Sequence, residues 1–134
     1  MTEWNGYLVV ASEYGVHASH QNDIYIWNDN PEGIADSWHI DFSKKVTAVY
    51  SYTRGLYIFT GDDTSYINTT PNDAENASME MIAGVGCFDY KSIVKHDTYL
   101  YFYDNNQKNV YYIQNIDSGQ TRPAGPIAKE IQSY

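Results

Sequence analysis

Cysteine is nearly missing from this 134-residue chain: Cys87 stands alone, which rules out an internal disulfide framework. Basic residues are scarce too, eight Lys and Arg against seventeen Asp and Glu, for a formal net charge of -9. Binding to nucleic acid by phosphate neutralisation needs a basic stripe, and an anionic membrane surface needs the same, so both partners are disfavoured. No stretch reaches the roughly eighteen consecutive apolar residues of a membrane-spanning helix. The opening MTEWNGYLVV has neither a basic n-region nor a long apolar core, and so predicts no secretion signal. A G-x-S-x-G elbow, a phosphate-binding P-loop and a Gly-rich dinucleotide fingerprint are all lacking. The expectation is a protein that is not an enzyme, with no catalytic set, no cofactor and no resident metal.

What the chain has in excess is tyrosine, fourteen against four phenylalanines and three tryptophans. Tyrosine suits half-buried sheet faces, with its ring packed and its hydroxyl reaching water or a backbone partner. A chain of this length forms one domain and buries roughly two-thirds of its unfolded surface. Within GVGCFDY, Cys87 lies among small and apolar neighbours with no His beside it, the setting of a packed core thiol rather than a nucleophile. The acidic balance is compatible with a cationic partner, although its commonest meaning is solubility. Two N-x-[ST] triplets, at Asn68 and Asn76, fall in Asn- and Thr-rich sequence where such triplets arise by chance.

Alternating apolar residues mark strands along most of the chain. After a lead-in, MTEWNG, that ends in an Asn5-Gly6 turn, Tyr7 to Ser12 reads as a buried strand and Asp23 to Trp27 as an alternating one. Glu13 to Asn22 between them reads as a polar loop. Turn formers crowd Asn28 to Gly33, and Ser37 to Phe42 places Trp38, Ile40 and Phe42 on one face. VTAVYSY, LYIFT and TSYIN then form two successive hairpins, with turns at Thr53-Arg54-Gly55 and Gly61-Asp62-Asp63. SMEMIA reads as their fourth strand, with helix over Asn72 to Ile82 as the alternative. CFDYKSIV, TYLYFY and NVYYIQ repeat the pattern with turns at Lys95-His96-Asp97, Asp104 to Gln107 and Asp117 to Gly119. Pro126 to Tyr134 leaves alternation: Ile127 and Ile131 sit four apart and predict a short terminal helix.

These strands repeat. Ile24-Tyr25-Ile26-Trp27, Ser65-Tyr66-Ile67-Asn68 and Tyr111-Tyr112-Ile113-Gln114 align, their Tyr-Ile pairs 41 (66 minus 25) and 46 (112 minus 66) residues apart. YLVV, LYIF and LYFY correspond ahead of a turn. Four strands per unit at this period is the signature of propeller blades. The expected fold is therefore all-β, one domain of about three antiparallel four-stranded units, near residues 5–45, 46–86 and 87–134. Closed propellers have about four to eight blades, so three do not complete a disc. Either the chain is a piece of a longer one, or other subunits cover its edges, or its sheets stack in another way.

VTAVYSYTRGLYIFTGDDTSYI, GVGCFDYKSIVKHDTYLYFYD, the opening NGYLVVAS with HQNDIYIWNDNPEGIADSW, and the closing GPIAKEIQSY resemble one family. It is the β-propeller proteins in the neck and tail of tailed bacteriophages, such as the head-completion or tail-hub proteins of short-tailed phages. The resemblance spans roughly Gly6 to Ile131. It implies a structural protein of the virion, assembled in the bacterial host cytoplasm, whose partners are its own copies and other virion proteins. It carries over no catalytic residue. A carbohydrate- or host-surface-binding β module, with a glycan as partner, is the alternative, and a propeller-type hydrolase trails both.

The residues singled out for contact are Trp4, Tyr14, His17, His20, Ile127 and Ile131. Trp4, Trp27, Trp38 and Tyr14 fall in the first unit, and Tyr and Trp serve both carbohydrate platforms and protein hot spots. For Trp27 and Trp38, inside alternating strands, core packing is expected; Trp4 lies outside any strand pattern. His17 and His20 are three apart with Glu13 nearby, but a zinc site needs further ligands, from His39 or His96, and solvated loop histidines are the simpler reading. Gly61-Asp62-Asp63-Thr64 is acidic enough to attract Ca²⁺ yet lacks the ligand count, so it reads as a turn. Glu13, Asp23, Asp41, Glu75 and Glu80 could supply a glycosidase pair only if the fold set two of them at a working separation.

Overall fold

The Asn5-Gly6 pair begins the fold as a two-residue hairpin turn. Both residues take positive φ, 51° and 84°, as a type I′ turn requires and as Asn and Gly tolerate best. It joins β1 (Thr2–Trp4) to β2 (Tyr7–Ser12), with Trp4 opposite Tyr7. The structure, a computed structural model, describes residues 1–27, 36–52, 55–72, 79–83, 85–96, 99–104, 108–115 and 121–123. Over these residues the protein is all-β.

Ten further strands follow: β3 (Gly15–Ala18), β4 (Trp38–Asp41), β5 (Val46–Tyr52), β6 (Gly55–Thr60), β7 (Asp63–Ile67), β8 (Met79–Ala83), β9 (Val94–His96), β10 (Tyr99–Asp104), β11 (Asn109–Asn115) and β12 (Thr121–Pro123). They make three antiparallel sheets of four strands, each taken in chain order: β1 to β4, β5 to β8 and β9 to β12. None of these sheets closes on itself.

The second sheet lies between the other two. Leu56, Ile58 and Ile67 join the core of the first sheet, with Tyr7, Val9, Val16 and Trp38. Tyr57, Phe59 and Tyr66, their neighbours in sequence, join the core shared with Leu100, Phe102 and Ile113 of the third. Successive strand residues point to opposite faces, so β6 is buried on both sides along its whole length. A β-bulge between Val46 and Ala48 shifts the phase of β5, sending Val46 to the first core and Ala48 to the second. Fully burying each such aliphatic or aromatic side chain contributes roughly 1.5–3 kcal/mol.

The connections between sheets are tied to hairpin turns. Leaving the first sheet, Phe42 N–H donates to Tyr14 O (2.9 Å) and Val46 N–H to Glu13 O (2.8 Å). Leaving the second, Cys87 N–H donates to Thr60 O (2.9 Å) and Gly86 N–H to the buried carboxylate of Asp104 (3.1 Å). A Cβ at Gly86 would lie 2.4 Å from Thr60 O and 2.6 Å from Asp62 N, so only glycine allows this backbone crossing.

Several expectations change. Asp23 to Trp27 is no strand: Tyr25 N–H donates to Asp23 Oδ1 (3.1 Å) and the Trp27 indole N–H to Ile24 O (2.7 Å), and these local bonds displace ladder pairing. Its Tyr-Ile phrase therefore does not belong with the other two. Trp27, expected in the core, is exposed, whereas Trp38 is buried. The strand of that region is β3, inside the expected polar loop, where Gly, His and Ala are weak strand formers and the short turn from β2 imposes pairing. MTEWNG holds β1 rather than a lead-in. CFDYKSIV, expected as a strand, contains a 3₁₀ turn (Tyr90–Ser92) capped by Asp89, which accepts from Lys91 N–H at 3.0 Å. Lys95 and His96, expected in a turn, lie in β9, and β12 forms where no strand is expected. Met79 to Ala83 of SMEMIA is a strand, not helix. The expected turns at Asn28 to Gly33, Thr53-Arg54, Asn105 to Gln107 and Asp117 to Gly119, Asn76 of the second N-x-[ST] triplet, and the terminal helix lie outside the described residues.

Two glycines separate backbone from side-chain crowding. Gly86→Ala is expected to destabilise the protein by about 1–3 kcal/mol, since its Cβ would strike backbone atoms. Gly61→Ala, whose Cβ would meet only the exposed Phe88 ring, should cost much less. Urea denaturation of the two variants checks the difference.

Candidate interaction surface

The hairpin ends put the three sheets in one frame. Ser12 pairs with Gly15, the pair Phe59–Thr64 precedes the turn of the second sheet, and Asp104 pairs with Asn109. Counting back from these turns, Leu8-Val9-Val10, Leu56-Tyr57-Ile58 and Leu100-Tyr101-Phe102 occupy equivalent positions. Leu56, Ile58, Leu100 and Phe102 each face the preceding sheet and are buried. Tyr57 faces the following sheet, and the equivalent Tyr101 faces out of the stack.

Among the described residues, that outward face of the third sheet has the most distinctive composition. Strict alternation in YLYFYD sends Leu100, Phe102 and Asp104 inward and leaves Tyr99, Tyr101 and Tyr103 outside. Tyr112 lies across from Tyr101 on β11, and Val94 across from it on β9. Tyr99 and Tyr112 meet edge to face with centroids 5.2 Å apart, and Tyr101 lies 5.9 Å from Tyr99 and 6.2 Å from Tyr112. The rings shield one another in part, yet Val94 remains 56 % exposed and Tyr103 38 %. Register places Val94, His96, Tyr99, Tyr101, Tyr103, Val110 and Tyr112 on this face, without a carboxylate among them, in a chain with seventeen. Depletion of charge with enrichment of tyrosine marks the centre of a protein interface.

The opposite end is the outer face of the first sheet. Leu8 and Val10 are half-buried there, although their equivalents in the second and third sheets are fully covered. His17 and His39, paired across β3 and β4, stack with centroids 6.0 Å apart, and His17 Nε2 lies 3.2 Å from Ser12 Oγ. Glu3 and Asp41 complete the polar part of this face.

The residues expected to make contacts are dispersed. Trp4, at 1 % exposure, is a core residue against Tyr7 and Trp38 and is removed from the contact set. Tyr14 is exposed on the β2–β3 turn. His17 lies on a strand rather than in a loop, while His20 turns to Asp36, Nδ1 to Oδ1 3.6 Å, so the two histidines do not share a site. Ile127 and Ile131 lie outside the described residues. The tyrosine face itself was missed as a site; the alternation of TYLYFY was its one signal.

Chemical sites are equally dispersed. Cys87 is buried in the second core, its thiol donating to Asp89 O at 3.0 Å, and burial pushes its pKa up, away from thiolate reactivity. Lys44 takes both carboxylates of the acidic turn, Nζ lying 3.1 Å from Asp62 and 2.6 Å from Asp63, and those hydrogen bonds, Asp63's first, raise the lysine pKa. Among the described residues no cluster of three or more His, Cys, Asp or Glu could hold a metal ion. An open groove of about 520 Å³ along β5 gathers Glu13, Lys45 and Tyr90 without a convergent catalytic set.

The two sides of β10 should respond differently to truncation. Phe102→Ala is expected to cost about 3–5 kcal/mol as a buried aromatic, and Tyr103→Ala to stay within roughly 0.5 kcal/mol as a change on the open face of a single chain, both read from denaturant midpoints at a dilution that keeps chains separate. The sequence matches no protein-family model and no curated protein, so the case for a partner rests on the geometry of this face.

Proposed function

We propose that the chain is a propeller-like arc of three blades serving as a structural component of a tailed-bacteriophage virion, at the neck or tail, through subunit assembly. One observation carries the reading: Tyr101 and Tyr112 hold on the third sheet the positions that Tyr57 and Tyr66 hold on the second, where another sheet covers them. A face built in the register of a covered one calls for a covering sheet. The three consecutive four-stranded meanders support the blade arrangement, and the likeness of the sequence to phage neck and tail propellers supports the virion placement. Its work is mechanical. Subunits bury end faces against one another around a channel, and an acidic lumen repels rather than holds DNA phosphates.

The assembled mass tests this first. Light scattering on the purified chain should give a discrete assembly, and a stable monomer at tens of micromolar would sink the assembly reading. Antibodies against the chain should then label the neck or tail of virions produced from the genome that encodes it; label on no part of the particle would remove the virion placement.

A second reading has its own observation. Ile24, Tyr25, Ile26 and Trp27 are all exposed in sequence, Tyr25 at 89 %, and such aromatics form carbohydrate platforms. On this reading a glycan array gives binding that Trp27→Ala abolishes by tenfold or more; equal binding by the variant would dismiss it.

A further inference from the structure

We infer that two copies join head to tail, the third sheet of each against the first sheet of the other, and so close a ring of six four-stranded sheets. The inference rests on the assembly reading and names its partner, symmetry and copy number.

The partner follows from the contact already present inside the chain. The second and third sheets pack with Tyr57 and Tyr66 of one side against Leu100 and Phe102 of the other. The outer faces offer the same two halves: Tyr101 and Tyr112 on the third sheet, and Leu8 and Val10, at the positions of Leu100 and Phe102, on the first. A second copy therefore continues an interface that the chain already builds twice, between its first and second sheets and between its second and third. Two tyrosine faces meeting one another would not reproduce it.

Charge agrees with this pairing. The tyrosine face bears His96 and no carboxylate among its described residues, whereas the face of the first sheet bears Glu3 and Asp41, with His17 and His39 between them, beside Leu8 and Val10. Tyrosine hydroxyls and a histidine opposite two carboxylates make donor–acceptor pairs.

Copy number follows from closure. Joining unlike faces generates either a closed ring or an open filament, and closed propellers contain about four to eight blades. With three sheets per chain, the one multiple of three within that range is six, from two copies.

Two variants mark the two faces separately: Tyr101→Glu on the third sheet and Val10→Glu on the first. Native mass spectrometry with light scattering should show the wild-type chain at twice its monomer mass and each variant alone as a monomer. Mixed one to one, the variants should form a heterodimer, since that pair keeps one unaltered interface; circular dichroism confirms that each is folded. A wild-type assembly of three or more copies would overturn six-sheet closure while leaving assembly intact. If Val10→Glu alone still dimerises, or two folded variants fail to pair, the head-to-tail join is wrong and self-association stands on other contacts. A monomeric wild-type chain, its faces served by another protein or by none, overturns both readings.

Discussion

Strand β6 has no solvent side, and the rest of the protein depends on that. Leu56 and Ile58 leave it in one direction, Tyr57 and Phe59 in the other, and each pair is the centre of a separate core. Because strand side chains alternate with a period of two, a slip of one residue would exchange the two sets and spoil both cores together. Register is correspondingly well specified. The bulge at Thr47 serves the same end, since its hydroxyl donates to Phe59 O (3.1 Å) and also meets Cys87 O, holding β5 and the outgoing connection to the central strand.

Outside the second sheet the constraint is half relaxed. The first and third sheets each bury one face against the second, and their outer faces carry unlike chemistry on one frame. At the first sheet, histidines and carboxylates dilute the aliphatic pair Leu8 and Val10. At the third, ring-to-ring contacts among Tyr99, Tyr101 and Tyr112 hide part of the apolar surface while their polar ends keep it wettable. A chain of net charge -9 can carry such a face because its charge lies elsewhere.

The strands of the second sheet were legible because apolar alternation, short turns and β-branched or aromatic residues all agreed there. Where these signals separated, reading failed. Asp23 to Trp27 alternates well but bonds to itself, and β3 alternates poorly but is held by its neighbours. Trp4 could not be placed because three residues before an Asn-Gly turn give too short a pattern to show a face. The tyrosine face was half visible: TYLYFY predicts two sides, but which side another sheet covers is a tertiary fact. The repeat itself was found through LYIF and LYFY and blurred by the Tyr-Ile phrase at Tyr25, which falls outside any sheet.

The order of the sheets bears on how the chain leaves the ribosome. The inner face of the first sheet is covered by Val46, Val49, Leu56, Ile58 and Ile67, so Trp4, Tyr7 and Val9 wait for about half the polypeptide to emerge before they are sheltered. During that interval two tryptophans and a tyrosine stand open on a nascent meander, at the stage when exposed apolar surface invites aggregation. Synthesis speed through the second sheet, rather than the stability of the finished fold, then sets how long that first face stays open.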